Sequence, residues 1–194
     1  MNFDVGIASG PWGSTYFIEG IGVGLFTDTM CKIDARDNVD VAYADDSAKE
    51  ITSAMKVLRE RLKSYRAKTL KLTLDQRDLS GEYILLEAMN TRCLGPNLCL
   101  APNANFSDGL LDVVSVSKAE YSQLSKYLSD STKSKVSSGP FMIHNGRHLQ
   151  IELGDFLIHI DDELWPENDS AYPFSSTVID VKVDSHALVF LVSR

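Results

Sequence analysis

A change of hydrophobic period constrains the fold of this chain most. Between residues 45 and 68, Ile51, Ala54, Met55, Leu58, Leu62 and Tyr65 recur at three- and four-residue steps. That spacing puts them on one face of an α-helix, and Ser47 with Glu50 forms a capping-box pattern at its start. From Thr69 the period drops to two, with Leu70, Leu72 and Leu74 on one face of a strand. After a polar Asp75–Gly81 turn, a second strand is predicted from Glu82 to Asn90, and a hairpin is the simplest join. Gly109–Val116 reads as another strand, followed by a short helix near 118–130 with Tyr121, Leu124 and Leu128 behind a Ser117/Glu120 capping box. Phe141–His144 and Arg147–Leu153 flank Asn145-Gly146, whose tolerance of positive φ predicts a type I′ hairpin. Gly154-Asp155 turns into Phe156–Ile160, and Val178–Val183 and Ala187–Val192 read as two strands separated by Asp184-Ser185-His186. Near the start, Tyr16–Phe26 reads as one or two strands whose glycines admit close neighbours. Roughly eight or more strands with one long amphipathic helix and one short helix predict a mainly β, α+β domain, an antiparallel two-layer sandwich.

A length of 194 residues suits a single domain over 1–194 with a sizeable core. No apolar run approaches the roughly 20 residues of a membrane-spanning helix. Met1-Asn2-Phe3-Asp4 lacks a secretory layout, so a cytoplasmic location is expected. A net charge of −8 repels nucleic-acid backbones, which removes nucleic acid as an expected partner. Basic residues gather only in Lys56–Lys68, read as the solvated face of a helix. Cys31, Cys93 and Cys99 show neither a paired nor a metal-ligand spacing and are expected as buried thiols in a reducing compartment. The last strand, Leu188–Val192, offers either an edge to a second copy, hence a homodimer, or a place inside the sandwich.

Most candidate chemical motifs resolve into structural readings. Gly20-Ile-Gly-Val-Gly24 has the glycines of a phosphate loop but is followed by no evident helix, so closely packed strands are expected there. His144 and His148 are four apart, but a hairpin at Asn145-Gly146 would send them to opposite faces, away from a common ion. Two stretches remain. A turn-rich loop from Gly95 delivers Asp108-Gly109 onto a strand, where Asp-Gly is by itself a good turn. In Ile158–Trp165 a carboxylate cluster, Asp161-Asp162-Glu163, ends an apolar strand. It is either a solvated acidic loop or a base held near a reacting hydroxyl.

Taken together, those stretches resemble the C-terminal half of the diacylglycerol kinase catalytic family, with its sphingosine, ceramide and bacterial lipid kinases. Leu100-Ala-Pro-Asn103 followed by Asp108-Gly-Leu-Leu-Asp-Val-Val114 is similar to that family's Ala-Pro then Asp-Gly-Leu-Leu-Asp-Val signature. Ile160-Asp-Asp-Glu163 is similar to its late Asp-Gly-Glu, and Phe17–Phe26 to its entry into the second domain. The resemblance covers about residues 14–190. It implies the C-terminal β-sandwich half of a two-domain kinase using ATP and Mg²⁺, inactive without the nucleotide-binding N-terminal domain and its Gly-Gly-Asp-Gly-Thr loop. It implies diacylglycerol as the first candidate acceptor, transient membrane contact for the intact enzyme, Glu163 as general base with Asp161 beside it, and a Mg²⁺ held by Asp108 and the backbone carbonyls of Asn105 and Leu110. A single base with a metal and phosphate-binding donors suffices for phosphoryl transfer, and hard oxygen donors suit Mg²⁺. Asp162 stands where the family has glycine. If that position needs a left-handed turn it strains the backbone, and its charge would raise the proton affinity of Glu163. Two other readings compete: a non-catalytic lipid- or protein-binding sandwich, and an NAD-kinase-like enzyme with a soluble acceptor.

Overall fold

The computed structural model describes residues 2–37, 47–96, 98–130, 139–154, 156–165 and 177–189. The elements are β1 (Asn2–Gly10), β2 (Gly13–Phe17), β3 (Gly20–Gly24), α1 (Leu25–Asp37), α2 (Ser47–Lys63), β4 (Lys68–Leu74), β5 (Arg77–Asp78), β6 (Gly81–Met89) and β7 (Leu111–Ser117). A 3₁₀ turn at Lys118–Glu120 then leads into α3 (Tyr121–Asp130), β8 (Met142–Gly146), β9 (His148–Leu153), β10 (Ile158–Ile160), β11 (Glu163–Trp165) and β12 (Thr177–Val189). All described pairings are antiparallel.

Two layers emerge from the pairing. One runs β11-β10-β3-β6-β7-β8 and the other β4-β9-β12-β1-β2. Strand β4 turns the corner: Lys68–Leu70 pair with β6, while Lys71–Leu74 pair with β9. The period-two leucines make this possible. Leu70, Leu72 and Leu74 all point between the layers at 3% exposure or less, each contributing about 1.5–3 kcal/mol on burial. Ile21, Val23, Leu86, Val113, Ile158 and Ile160 meet them from the first layer, and Ala8, Leu149, Ile151, Ile179 and Val181 from the second. The three helices cover the outer face of the first layer, where Leu25, Met55, Leu58, Leu62, Leu124 and Leu128 pack on Leu85, Met89, Val114 and Val116. The α+β sandwich is therefore as the periodicity dictates, with a helical layer added outside.

Four local expectations are corrected. First, a helix does follow the glycine segment. α1 starts at Leu25 with the buried Thr27 hydroxyl donating to the Gly22 carbonyl at 3.1 Å. Second, Asn145-Gly146 is no hairpin. β8 pairs with β7 and β9 with β4 and β12, so the chain crosses between layers there. Asn145 instead donates to Asp112 at 2.8 Å, and Asp75 accepts the Arg147 and His148 N–H groups. The left-handed two-residue turn lies at Asp75-Gln76, φ 46° and 69°, between β4 and β5. Third, β12 is one strand rather than two. His186, at φ 59°, is absorbed opposite an irregularity between Phe3 and Val5. Fourth, Cys93 and Cys99 form a disulfide and only Cys31 is free, correcting the expected thiols. The helix predicted over 45–68 ends at Lys63, and residues 45, 46 and 190–192 lie outside the described residues. Glu120 reaches back to the Ser117 N–H at 2.8 Å, as the capping-box pattern requires.

Candidate functional site

β10 and β11 form a tight hairpin whose turn is Asp161-Asp162, with Ile160 opposite Glu163. Asp161 takes the left-handed conformation, φ 49°; Asp162 is not among the positive-φ residues. The departure from glycine at Asp162 therefore carries no backbone strain of that kind, and aspartate is well suited to the left-handed position before it. Asp162 and Glu163 are exposed. The Asp161 carboxylate is committed inward: it accepts the backbone N–H groups of Ile18, Glu19 and Gly20 at 2.9, 2.8 and 3.0 Å. Its own N–H donates to the Gly20 carbonyl at 2.8 Å. One side chain thus fixes the entry to β3, like an anion in a nest of successive amides.

The Asp108-Gly109 loop reaches the same region through two buried residues that stand in no recognisable motif, Asn90 and Asp4. Asn90, 1% exposed, donates through Nδ2 to the carbonyls of Ile18 at 3.1 Å and Asp4 at 2.8 Å, and its N–H donates to the Glu19 carbonyl. Asp4 is fully buried. Its carboxylate accepts the N–H groups of Gly109 and His186, both at 2.7 Å, and its N–H donates to the Phe106 carbonyl. Phe3 stacks on Phe106 at 4.7 Å. A chain of hydrogen bonds therefore runs from Asp161 through Ile18, Asn90 and Asp4 to Gly109, and joins the two motif-bearing stretches.

Within the loop, Asp108 is exposed, its Oδ1 accepts the Leu110 N–H at 3.0 Å, and its N–H donates to the Asn105 carbonyl at 3.3 Å. Asn105 Oδ1 is used locally by Ser107. The donors that the resemblance assigns to Mg²⁺ thus lie in one turn, and all are oxygens, which fits a hard cation. No cluster of three or more His, Cys, Asp or Glu side chains suited to a metal forms among the described residues. Burial pushes the nearby Asp112 carboxyl up, the Asn145 hydrogen bond opposes this, and the Asp108 charge adds to the rise. Around the other turn, burial raises the Glu19 carboxyl above its usual range, and the charges of Asp161 and Asp162 raise it further. Glu19 thus extends the acidic cluster.

The glycines of β3 do not form a phosphate loop even though a helix follows. β3 is paired on both sides, with β6 and β10, and its glycines clear space instead. A Cβ on Gly22 would sit 1.9 Å from Glu87 Oε2, and one on Gly24, at φ 112°, would lie 2.5 Å from the Ile84 carbonyl oxygen. His144 and His148 belong to different layers, and His148 pairs with Asp180 at 2.7 Å. A cavity of about 510 Å³ opens past the end of α2, lined by Asp28, Arg61, Tyr65, Lys68 and Phe156 among others. The basic run is thus only partly the solvated face it was expected to be, since Lys68 bonds Asp28 at 3.0 Å and lies over the Phe156 ring. None of the motif residues lines that cavity.

The domain is a sandwich of two antiparallel layers with helices outside one of them, in which an acidic turn and an Asp-Gly loop are tied together by hydrogen bonds. Residues 30–181 match the family described as "YegS C-terminal NAD kinase beta sandwich-like domain". The chain belongs to that family. No curated protein matches. Three solved structures from Bacillus anthracis str. Sterne share the fold. One is a diacylglycerol kinase at 16% identity and TM-score 0.59. The others, provisionally assigned the same activity, have 18% identity and TM-scores of 0.60 and 0.61. Each match covers 96% of this chain and 55% of the solved one, so the chain spans about half the length of these neighbours. No helix among the described residues is long and apolar enough to cross a membrane.

Proposed function

We propose that this chain is the acceptor-side domain of an ATP-dependent lipid kinase, which transfers the γ-phosphate to a lipid hydroxyl, with diacylglycerol the first candidate. The observation that carries this reading is the hydrogen-bonded path from Asp161 through Asn90 and Asp4 to Gly109, which sets the late acidic turn and the Asp-Gly loop in a fixed relation. Glu163 is the base: an exposed carboxylate just beyond a turn that backbone amides hold rigidly. It takes the proton of the acceptor hydroxyl as that oxygen bonds to the γ-phosphorus and the bond to the ADP oxygen breaks. Asp161 holds the turn and does not itself receive the proton, since its carboxylate is occupied by three N–H groups. When bound, Mg²⁺ would be held by Asp108 and the Asn105 and Leu110 carbonyls and would neutralise phosphate charge. The ATP phosphates would be held by a nucleotide-binding domain outside these residues.

In the intact protein, Glu163→Gln is expected to lower kcat for lipid phosphorylation by about 100-fold or more, the scale of general-base loss. Near-normal turnover would remove Glu163 from the role. A binding module without chemistry is the competing reading. It is favoured if the intact protein binds lipid but phosphorylates nothing. An NAD-kinase-like preference for a soluble acceptor would show in a panel of acceptors.

A further inference from the structure

We propose that Glu87 and His159 form a buried positioning pair that fixes the backbone of the Asp161–Glu163 turn from the helix-covered side of the sheet. This inference rests on the reading of Glu163 as the base. Glu87, Gly22 and His159 stand directly opposite one another on the adjacent strands β6, β3 and β10. Gly22 has no side chain, so the Glu87 carboxylate lies over its Cα and meets His159 Nε2 at 2.8 Å. The pair is sealed, with side-chain exposures of 0% and 3%.

The other ring nitrogen gives the pair a direction. His159 Nδ1 lies 3.0 Å from the Asp161 carbonyl oxygen. A carbonyl only accepts, so Nδ1 carries a proton and donates. The proton between Nε2 and Glu87 closes the second bond from either side. Burial pushes the Glu87 carboxyl up, countered by His159. Burial works most strongly against the imidazolium, but the charge and hydrogen bond of Glu87, with the Asp161 carbonyl and charge, together outweigh it and raise the ring's proton affinity. Leu85 and Met89 alternate with Glu87 on the same face of β6, and an apolar pair would pack there without the cost of desolvating ionisable groups. What an apolar pair lacks is a donor aimed at the Asp161 carbonyl. That carbonyl belongs to the peptide leading to Asp162, two residues before Glu163. His159 holds this peptide from below, while the Asp161 carboxylate is held by Ile18, Glu19 and Gly20. His159 and Glu87 thus act on Glu163 through the turn and never touch the acceptor.

The amides of asparagine and glutamine separate the two ring nitrogens. His159→Asn places a donor near Nδ1 and keeps the bond to Asp161, whereas His159→Gln places its amide near Nε2 and keeps only the bond to Glu87. In the intact enzyme, His159→Asn is expected to hold kcat within a few-fold, and His159→Gln to lower it roughly 10- to 100-fold with KM for the acceptor little changed, as expected for a misplaced catalytic group. In this chain, amide exchange at Ile18, Glu19, Gly20 and Asp162 is expected to quicken by roughly tenfold in His159→Gln alone, with β1 and β12 unaffected. Equal kcat and equal exchange in the two variants would overturn the proposal, as would a larger effect of His159→Asn. An intact wild-type protein that phosphorylates no lipid, or a fully active Glu163→Gln, would instead sink the reading beneath it, and the exchange experiment still decides whether the pair holds the turn. Should either His159 variant fail to fold, Glu87→Leu with His159→Leu, an apolar replacement of the whole pair, gives the same contrast. It is expected to fold and to show fast exchange at the turn, and wild-type exchange there would overturn the proposal.

Discussion

Replacing Gly22 by alanine tests the packing that brings β3, β6 and β10 together. The backbone at Gly22 is not in the left-handed region, so alanine meets no conformational objection and gains about 0.4–1 kcal/mol from a stiffer unfolded chain. The cost comes from one neighbour. An added Cβ would lie 1.9, 2.3 and 2.4 Å from Glu87 Oε2, Cδ and Oε1, which places it in the volume of the carboxylate. Glu87 is fully buried and bonded to His159, so it cannot yield without breaking that bond. Overpacking costs about 1–3 kcal/mol, and two buried polar groups left unpaired cost about 1–3 kcal/mol each. The net loss is about 2 kcal/mol or more, which lowers Tm by at least about 4–8 °C for a chain of this size. Circular dichroism in urea and on heating reads it directly. The control is a double-mutant cycle: once Glu87→Ala has removed the carboxylate, Gly22→Ala should cost less than about 1 kcal/mol, because neighbours that share a clash are not additive. A Gly22→Ala cost below about 0.5 kcal/mol, or one equal in both backgrounds, would refute the reasoning.

Three further outcomes follow from the same geometry. The Glu19 carboxyl is raised by burial and by Asp161 and Asp162, so the folded protein binds that proton more tightly than the unfolded chain. The stability it contributes is full below the ordinary carboxylate range and is lost as pH rises through the raised value. Glu19→Gln should therefore stabilise the protein at neutral pH and make no difference at low pH, as urea melts at both would show. Alkylation of the denatured protein should label one cysteine before reduction, Cys31, and all three after it, as intact mass would register. Asp161→Ala removes the acceptor of three N–H groups and should cost about 2–4 kcal/mol in denaturant melts, at the usual worth of such bonds.

The parts of the fold that were legible in the sequence are those whose cause is local. Leu70, Leu72 and Leu74 alternate because one face of β4 is buried, and Ile51, Met55, Leu58 and Leu62 keep helical steps because one face of α2 packs on the sheet. Ser117 and Glu120 meet within a single turn. α1 was missed because its first turn, Leu25-Phe-Thr-Asp, follows a glycine-rich strand and carries a buried threonine whose hydroxyl is satisfied by the strand itself. Asn145-Gly146 misled because a strong local turn signal was overridden by distant partners, Asp112, Asp75 and Leu74, the last close enough to Gly146 to exclude a Cβ. His186 reads as a turn residue but is held within β12 by Asp4, 182 positions away. The candidate site has the same character. The motifs marked Asp108 and Glu163, but the amides that hold Asp161 lie 141 to 143 positions earlier, and no local pattern announces such a bond. Asn90, Asp4 and Glu87 carry no motif of their own and become visible only once the strands are in register.

The most direct measurement is transfer of radiolabelled γ-phosphate from ATP by the intact protein, with Mg²⁺ present, to diacylglycerol in mixed micelles, beside sphingosine, ceramide and a soluble nucleotide acceptor. Label is expected in the lipid phase, greatest with diacylglycerol and lost in Glu163→Gln. Label in the soluble acceptor alone, or none in any acceptor while the protein still binds the lipid micelles, would contradict that expectation.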